Sequence, residues 1–267
     1  MSDKTIDSIS KLLEHVKRVE SVSKPPTWFR GEKCSYEKLV PEVFRKPIWS
    51  KHEFSMTLDF RLRAPARHAW TPDSDRLVSW LSLMRHYGLP TRLLDWTESA
   101  LTAAFFATEN SEPKSNEEDG VIWVLVPTQL NRPIVGEPRV LTATNARIQE
   151  VAALAFKKGA SNEESKPMAL AFAAEEKDLR VLVQQGMFTL HRDATCLTKI
   201  ESPPFQMGQA VLERLRIPAN RKKSIRDELS ALGIRESILF PDLELLAREI
   251  KDAAFLERRF GELGYLD

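Results

Sequence analysis

The chain has 267 residues, 42% of them hydrophobic and 29% charged, with 39 Lys and Arg against 38 Asp and Glu and only 2 Cys. At about 150 residues per domain, that length supplies one large or two small domains that bury a core without covalent staples, which argues against a disulfide scaffold, a collagen, a coiled coil or wholesale disorder. A formal net charge of +1 creates no global field for polyanions, so any site for them must be local.

The apolar runs are far shorter than the ~20 residues a membrane span needs, and residues 1–20 lack the apolar stretch of a signal peptide. The expectation is a cytoplasmic protein with no membrane partner. Cys34 and Cys196 belong to no CxxC pair and are expected reduced. His15, His52, His68, His86 and His191 are scattered without metal-ligand spacing, so no metal is expected. GxSxG, GxxxxGK[ST] and GxGxxG are all missing, which removes serine-hydrolase, P-loop and Rossmann mechanics.

Ile6, Ile9, Leu12, Leu13, Val16 and Val19 recur at threes and fours and predict an N-terminal helix to about Val22, stopped by Lys24-Pro25-Pro26. Residues 27–31, Thr-Trp-Phe-Arg-Gly, predict a strand of bulky β-formers between prolines and a glycine. Leu77, Val78, Trp80, Leu81 and Met84 form the apolar face of a helix ended by Gly88 and Pro90. Residues 91–96 read as a tight connection. Thr97 then caps a helix that carries Glu98 in its first turn and turns Leu101, Ala104 and Phe105 inward.

Residues 110–120 are polar and acidic and predict a surface loop. Residues 121–126 are apolar without alternation and end at Pro127, as in a central strand covered on both faces. Helical patterns follow over 145–158 and, beyond a turn-rich piece with Gly159 and Pro167, over 168–176. Residues 179–191 carry a strand signal with Gly186 as a bulge or close approach, and 210–217 a third. Ile225, Leu229 and Leu232 share a helical stripe capped by Gly233, and Pro241 opens another helix through Leu243, Leu246, Ala247 and Ile250. The sum is one α+β unit, with a mixed sheet flanked by helices: an N-terminal helix and linker over 1–24, a main body over 25–250 and a helical tail over 251–267.

Chemistry concentrates in two places. Residues 86–97, His-Tyr-Gly-Leu-Pro-Thr-Arg-Leu-Leu-Asp-Trp-Thr, are denser in polar groups than packing requires, although Asp95 and Thr97 as helix caps and Arg92 in a local ion pair explain them equally well. His86 and Tyr87 either stack on a ligand or pack beneath the preceding helix. Arg30-Gly31 sets a five-donor guanidinium beside a residue without Cβ, a match for phosphate and for close backbone contact, or else a surface ion pair. Basic runs at Arg61, Arg63, Arg67 and His68 and at Arg221, Lys222 and Lys223 read as solvated faces.

The segments TWFRGE, LVPEVFR, MRHYGLPTRLLDWTESALTAAFFAT, GVIWVLVP, VLVQQGMFTLH and GIRESILFPDLELLAREI together resemble the FRG domain family over about residues 28–250, with HYGLPTRLLDWT the most specific stretch. In motif order the chain also looks like ADP-ribosyltransferases of the Arg–Ser–Glu type. That second resemblance implies an NAD-binding cleft in which Arg30 meets phosphate or ribose and Gly31 the nicotinamide amide. It further implies that Asp95-Trp96-Thr97 replaces the polar triplet, and that Gln184-Gln185 lies where the glutamate strand would be. An amide carries no charge for an oxocarbenium-like ribose, so the carboxylate must come from Asp95, Glu32 or Glu236, with Asp95 first because it adjoins Thr91, Arg92 and Thr97.

The residues expected to act are therefore Arg30, Asp95 and Gln185, and those expected to bind the nucleotide are Arg30, Gly31, His86, Tyr87, Thr91, Arg92 and Thr97. The implied activity is ADP-ribose transfer to a protein or nucleic-acid target, or NAD hydrolysis, by a bacterial effector of anti-phage or toxin–antitoxin type. The alternative is a non-catalytic module that recognises a nucleotide, a nucleic acid or a phage protein.

Overall fold

Strand pairing organises the chain in the computed structural model, which describes residues 4–23, 26–34, 39–109, 117–156, 168–175, 179–199 and 211–255. In chain order the elements are β1 (Lys4–Thr5), α1 (Ile9–Ser23), β2 (Trp28–Glu32), α2 (Pro47–Arg63), α3 (Leu77–His86), β3 (Leu93–Thr97), α4 (Ala100–Ala107) and β4 (Gly120–Leu125). There follow α5 (Pro127–Val135), β5 (Leu141–Thr142), α6 (Ala146–Phe156), β6 (Ala169–Ala173), α7 (Leu179–Gln184), β7 (Gly186–His191), β8 (Leu212–Ile217), α8 (Lys222–Ala231), α9 (Glu236–Leu239) and α10 (Leu243–Phe255).

Among the described residues the strands form one sheet in the order β1-β8-β4-β2-β3-β7-β6-β5. The outermost pairs, β1–β8 and β5–β6, are parallel and the rest antiparallel, giving an α+β unit with a mixed sheet. No helix among these residues is long and apolar enough to cross a membrane.

Period-two alternation divides the sheet's side chains between two faces. Trp28, Leu94, Trp96, Val121, Trp123 and Leu125 pack on one face under Leu39, Val40, Leu130 and Leu197. The other face carries two separate layers. Over β2, β4 and β8, Phe29, Ile122, Val124, Leu215 and Ile217 pack against residues of α1, α4 and α8. Over β3, β6 and β7, Leu93, Leu170, Phe172, Phe188 and Leu190 pack against residues of α3 and α6.

The seam between those layers is where the ladder fails. β2 pairs with β4 along its whole length, but with β3 only at Phe29 and Thr97. α4 packs tightly on the β2 side of this seam. A Cβ on Gly31 would lie 1.9 Å from the Ala103 carbonyl oxygen, and one on Gly120 would lie 2.2 Å from that of Ala107. Gly31 is thus fixed by helix-on-strand packing, whatever its relation to a ligand.

Several sequence expectations are corrected. Residues 93–97 form the interior strand β3 instead of a connection, because β7 pairs with all five of them, from Leu93 with Leu190 to Thr97 with Gly186. Thr97 therefore ends a strand. Ser99 is the helix cap, and its Oγ accepts from the Thr102 amide at 3.1 Å. The signal over 179–191 splits into α7 and β7 at Gln185, whose φ of 49° turns the chain. The Ala-rich stretch 168–176, helical by propensity, holds β6. Pairing with β7 and the Asn131 side chain decides this: its Oδ1 accepts from the Ala171 amide at 2.7 Å and its Nδ2 donates to the Ala171 carbonyl at 2.8 Å.

Leu232 is exposed rather than on the buried stripe, and Lys222, read as solvated, is 2% exposed with its Nζ donating to the Lys33 carbonyl. Lys24, Pro25, Gly159, Pro167, Glu176, most of the loop 110–120 and the tail beyond 255 lie outside the described residues.

Candidate functional site

A cleft of about 290 Å³ opens over the β2–β3 seam, between the end of α3, the start of α4 and helix α7. Its position follows from the parted strands. Asp95 pairs with Phe188 of β7 on one side, while on the other its carbonyl accepts from Arg30 Nη1 at 3.0 Å, a side-chain donor reaching from β2. Arg30 Nε also donates to Glu32 Oε1 at 3.2 Å, and Glu32 Oε2 accepts from Trp123 Nε1 at 3.0 Å. The Arg30 guanidinium is 14% exposed and is held by groups on both strands.

The Asp95 carboxylate faces the cleft. Its side chain is 39% exposed and is gripped from one side by Arg85, whose Nε lies 3.0 Å from both oxygens and whose Nη2 donates to Oδ2 at 2.7 Å. Arg30 Nη1 stands 3.7 Å from Oδ2, and Glu42 accepts from the remaining arm of Arg85. Burial opposes ionisation of Asp95, but the Arg85 charge and hydrogen bonds, with Arg30 behind them, outweigh it and hold the carboxyl below the ordinary carboxylate range. The Asp95 charge in turn raises the Arg85 pKa. At neutral pH Asp95 is therefore a fixed anion, suited to stabilise positive charge and unsuited to donate a proton.

The residues expected from the sequence divide between the cleft and its surroundings. Arg30, Gly31, His86, Asp95 and Thr97 all line it. The Thr97 hydroxyl donates to the Gln184 carbonyl at 2.6 Å and accepts from the Ser99 amide at 3.0 Å, tying α7 to β3 across the cleft floor. Gln184 lines the cleft, with Nε2 on the Leu239 carbonyl at 2.9 Å, whereas its neighbour Gln185 is turned outward by its positive φ and is exposed.

Tyr87 is 54% exposed, with its ring 4.9 Å from His86 and 5.6 Å from His68, and borders a separate groove with Arg63, Arg67 and Leu89. Thr91 is fully buried, its hydroxyl accepting from the Leu93 amide at 3.4 Å. Arg92 is buried beneath the strand and bound to both oxygens of Glu53 and to the carbonyls of His191 and Arg192 at 3.3 and 3.0 Å. Its guanidinium also stacks on Phe156 at 4.6 Å. Arg92 and Thr91 hold the junction before β3 and do not reach the cleft.

Sequence reasoning passed over Arg85, Thr102, Phe106 and Arg180, which line the cleft from α3, α4 and α7. Arg85 carried a signal, since it occupies the last turn of α3, one residue before the polar stretch singled out. Of the carboxylate partners, Glu42 lies within the LVPEVFR segment without having been singled out, and Glu53 comes from α2, which carries no motif.

Residues 25–116 match the model of the FRG domain. The match takes in β2, α3, β3 and α4, and with them Arg30, Arg85 and Asp95, while α7 and β4 to β8 lie beyond it in the same sheet. No curated protein and no solved structure matches the chain. The chain thus carries an FRG domain over residues 25–116, and the parted strands β2 and β3 with Arg30, Arg85 and Asp95 lie within that stretch.

Proposed function

We propose that the cleft binds an NAD-like nucleotide and that Asp95 is the carboxylate facing the ribose from which nicotinamide departs. The observation that carries this reading is the ionised, part-exposed Asp95 side chain in a concave site with arginines on three elements, Arg30, Arg85 and Arg180. Cleavage of the ribose–nicotinamide bond leaves the bonding pair on nicotinamide and positive charge on the sugar. A fixed anion at that point stabilises the transition state more than the substrate. Water, or a nucleophile on a protein or nucleic acid, then bonds to the sugar carbon and releases its proton to solvent.

In this reading Arg30 places β3 and lends its charge to the ligand, Arg85 orients Asp95, and Arg85 and Arg180 supply donors for the phosphates. Thr97 and Gln184 keep α7 over the cleft. The reaction belongs to an effector that consumes NAD or marks a target with ADP-ribose.

The test is to incubate the purified chain with NAD and follow nicotinamide release, with ADP-ribose binding measured in parallel by calorimetry. Release above the buffer rate, abolished by Arg85→Ala together with Asp95→Asn, is expected. Saturable binding without release would leave a nucleotide-recognition module. Neither binding nor release by the folded protein would overturn the proposal.

A further inference from the structure

A second groove, of about 490 Å³, lies between the C-terminal half of α2, the short turn Ala64–Ala66 that follows it and the end of α3. That volume falls in the range of small-ligand sites. Met56, Phe60, Ala64 and Leu89 make an apolar floor, and Arg63, Arg67, His68 and Tyr87 stand around it. Tyr87 caps α3: its amide donates to the Leu83 carbonyl at 3.2 Å, and Gly88, at a φ of 79°, turns the chain away behind it. Its ring meets those of His86 and His68 edge to face, at interplanar angles of 85° and 74°, yet 54% of the residue stays exposed. A flat ring held on two sides and open to solvent is a stacking platform that needs little further ordering to hold a ligand.

The charge beside that ring is basic. Arg67 is exposed, donates from Nη1 to the Arg63 carbonyl at 2.9 Å and meets no carboxylate among the described residues, so its charge is unopposed. Arg63 Nε lies 2.8 Å from Asp59, the acid of the lining, but the two side chains are 67% and 55% exposed, and so open a pair is weak and yields to a phosphate. His68 is held through Nδ1 to the Trp70 backbone and serves to buttress Tyr87.

Guanidinium donors beside a stacking ring and an apolar floor fit an alternation of phosphate and flat base. We infer that this groove binds single-stranded nucleic acid, with a base stacked on Tyr87 over the apolar floor and the adjoining phosphates on Arg67 and Arg63. A duplex keeps its bases stacked on one another and offers Tyr87 no open face, and a chain of formal net charge +1 has no broad field to hold one by charge alone. Acidic side chains of a peptide would satisfy the arginines but leave the ring without a flat partner. His86 lines the main cleft and Tyr87 the groove, with their rings 4.9 Å apart, so a strand held here lies beside the cleft. With the NAD reading proposed above, that placement makes the strand the target of ADP-ribose; this step rests on that reading, and strand binding itself does not.

The test is fluorescence anisotropy with a labelled mixed-sequence strand of about 16 nucleotides, as DNA and as RNA, free and paired with its complement, without NAD and from about 50 to 200 mM salt. Saturable binding of a free strand, about tenfold or more tighter than of its duplex, is expected, and the two arms show which sugar the groove takes. Tyr87→Ala should weaken strand binding about tenfold, whereas Tyr87→Phe, which keeps the ring, should stay within about twofold of wild type. Arg67→Gln should weaken it too and lower the slope of log affinity against log salt by about 0.7. Both positions are exposed, and circular dichroism checks that the variants are folded. No saturable binding of either free strand by the folded chain, a duplex bound as tightly as the strand, or wild-type affinity in Tyr87→Ala would overturn the inference, as would capture of a glutamate-rich peptide in place of the strand. Any of these leaves the nucleotide reading standing, because no NAD enters the assay, and nicotinamide release measured without a strand decides that reading separately.

Discussion

Arg85 and Arg92 flank one short junction, yet their carboxylate pairs differ in kind. Arg92 and Glu53 are 5% and 4% exposed and satisfy each other with both arms, with backbone carbonyls and aromatic faces completing the shell. Arg85 and Asp95 are 22% and 39% exposed and leave a carboxylate face open to a cleft. Two ion pairs of the same chemistry thus differ in setting: the closed one fixes where β3 begins, and the open one leaves a carboxylate facing the cleft.

The largest expected effect lies in the closed pair. Arg92→Ala strands the Glu53 carboxylate in the interior and should cost about 3–5 kcal/mol of stability in chemical denaturation. Asp95→Asn keeps shape and several hydrogen bonds at a part-exposed position, and its stability should fall by no more than about 1–2 kcal/mol. Equal losses would erase the distinction between the pairs.

Gly31→Ala probes the floor on which the open pair rests. With the Ala103 oxygen 1.9 Å from the new Cβ, α4 must shift away from β2, at a cost of about 3 kcal/mol. Both stability and ADP-ribose binding should drop, whereas a stable Gly31→Ala protein that loses only binding would assign this glycine to the ligand alone.

Acidification sharpens the contrast, because the two carboxylates shift in opposite directions. Burial raises the Glu53 pKa despite the Arg92 guanidinium, so protonation on acidification removes a buried charge that folding otherwise has to accommodate. Asp95 is depressed, so its contribution is complete above the ordinary carboxylate range and is lost as pH falls through its folded value.

His191 adds a third window. Burial pushes its imidazole down to about 3, so the unfolded chain takes up a proton between about 6.5 and 3 that the folded chain refuses, and stability falls across that range. Urea titrations at stepped pH should show that slope flattened in His191→Gln. An unchanged slope would mean that other groups govern acid unfolding.

The smallest effect is expected at Thr97→Val, which removes the tie to the Gln184 carbonyl and should cost about 1 kcal/mol while weakening ligand binding through a looser α7.

How far the sequence reached follows the same division. Elements set by local pattern were legible: the apolar run of β4, the stripe of α1 and the glycine after α3. β3 was not, because turn residues precede it and only pairing with β7 makes Leu93–Thr97 a strand. The Ala-rich β6 was hidden for a like reason, since helix propensity spoke for the wrong state until the sheet and Asn131 overruled it. At the site, the approach of Arg30 to Asp95 across 65 positions was foreseen from motif order. The fates of Arg92 and Thr91 were not, since Glu53 stands in a segment without any signature and nothing in LVPEVFR says that Val43 meets Thr91, and only the fold brings those segments to them. Polar density thus marked a region rich in constrained side chains without separating those that face the cleft from those that hold its frame.

In the proposed function the open carboxylate acts on the ligand and the closed one does not. The most direct measurement is nicotinamide release from NAD per mole of folded protein, compared between wild type and Asp95→Asn under conditions where both are fully folded. A fall of about 10²–10³-fold in turnover, with ADP-ribose binding retained, is the result predicted for a carboxylate that acts on transition-state charge. Turnover in Asp95→Asn equal to that of wild type would contradict the account.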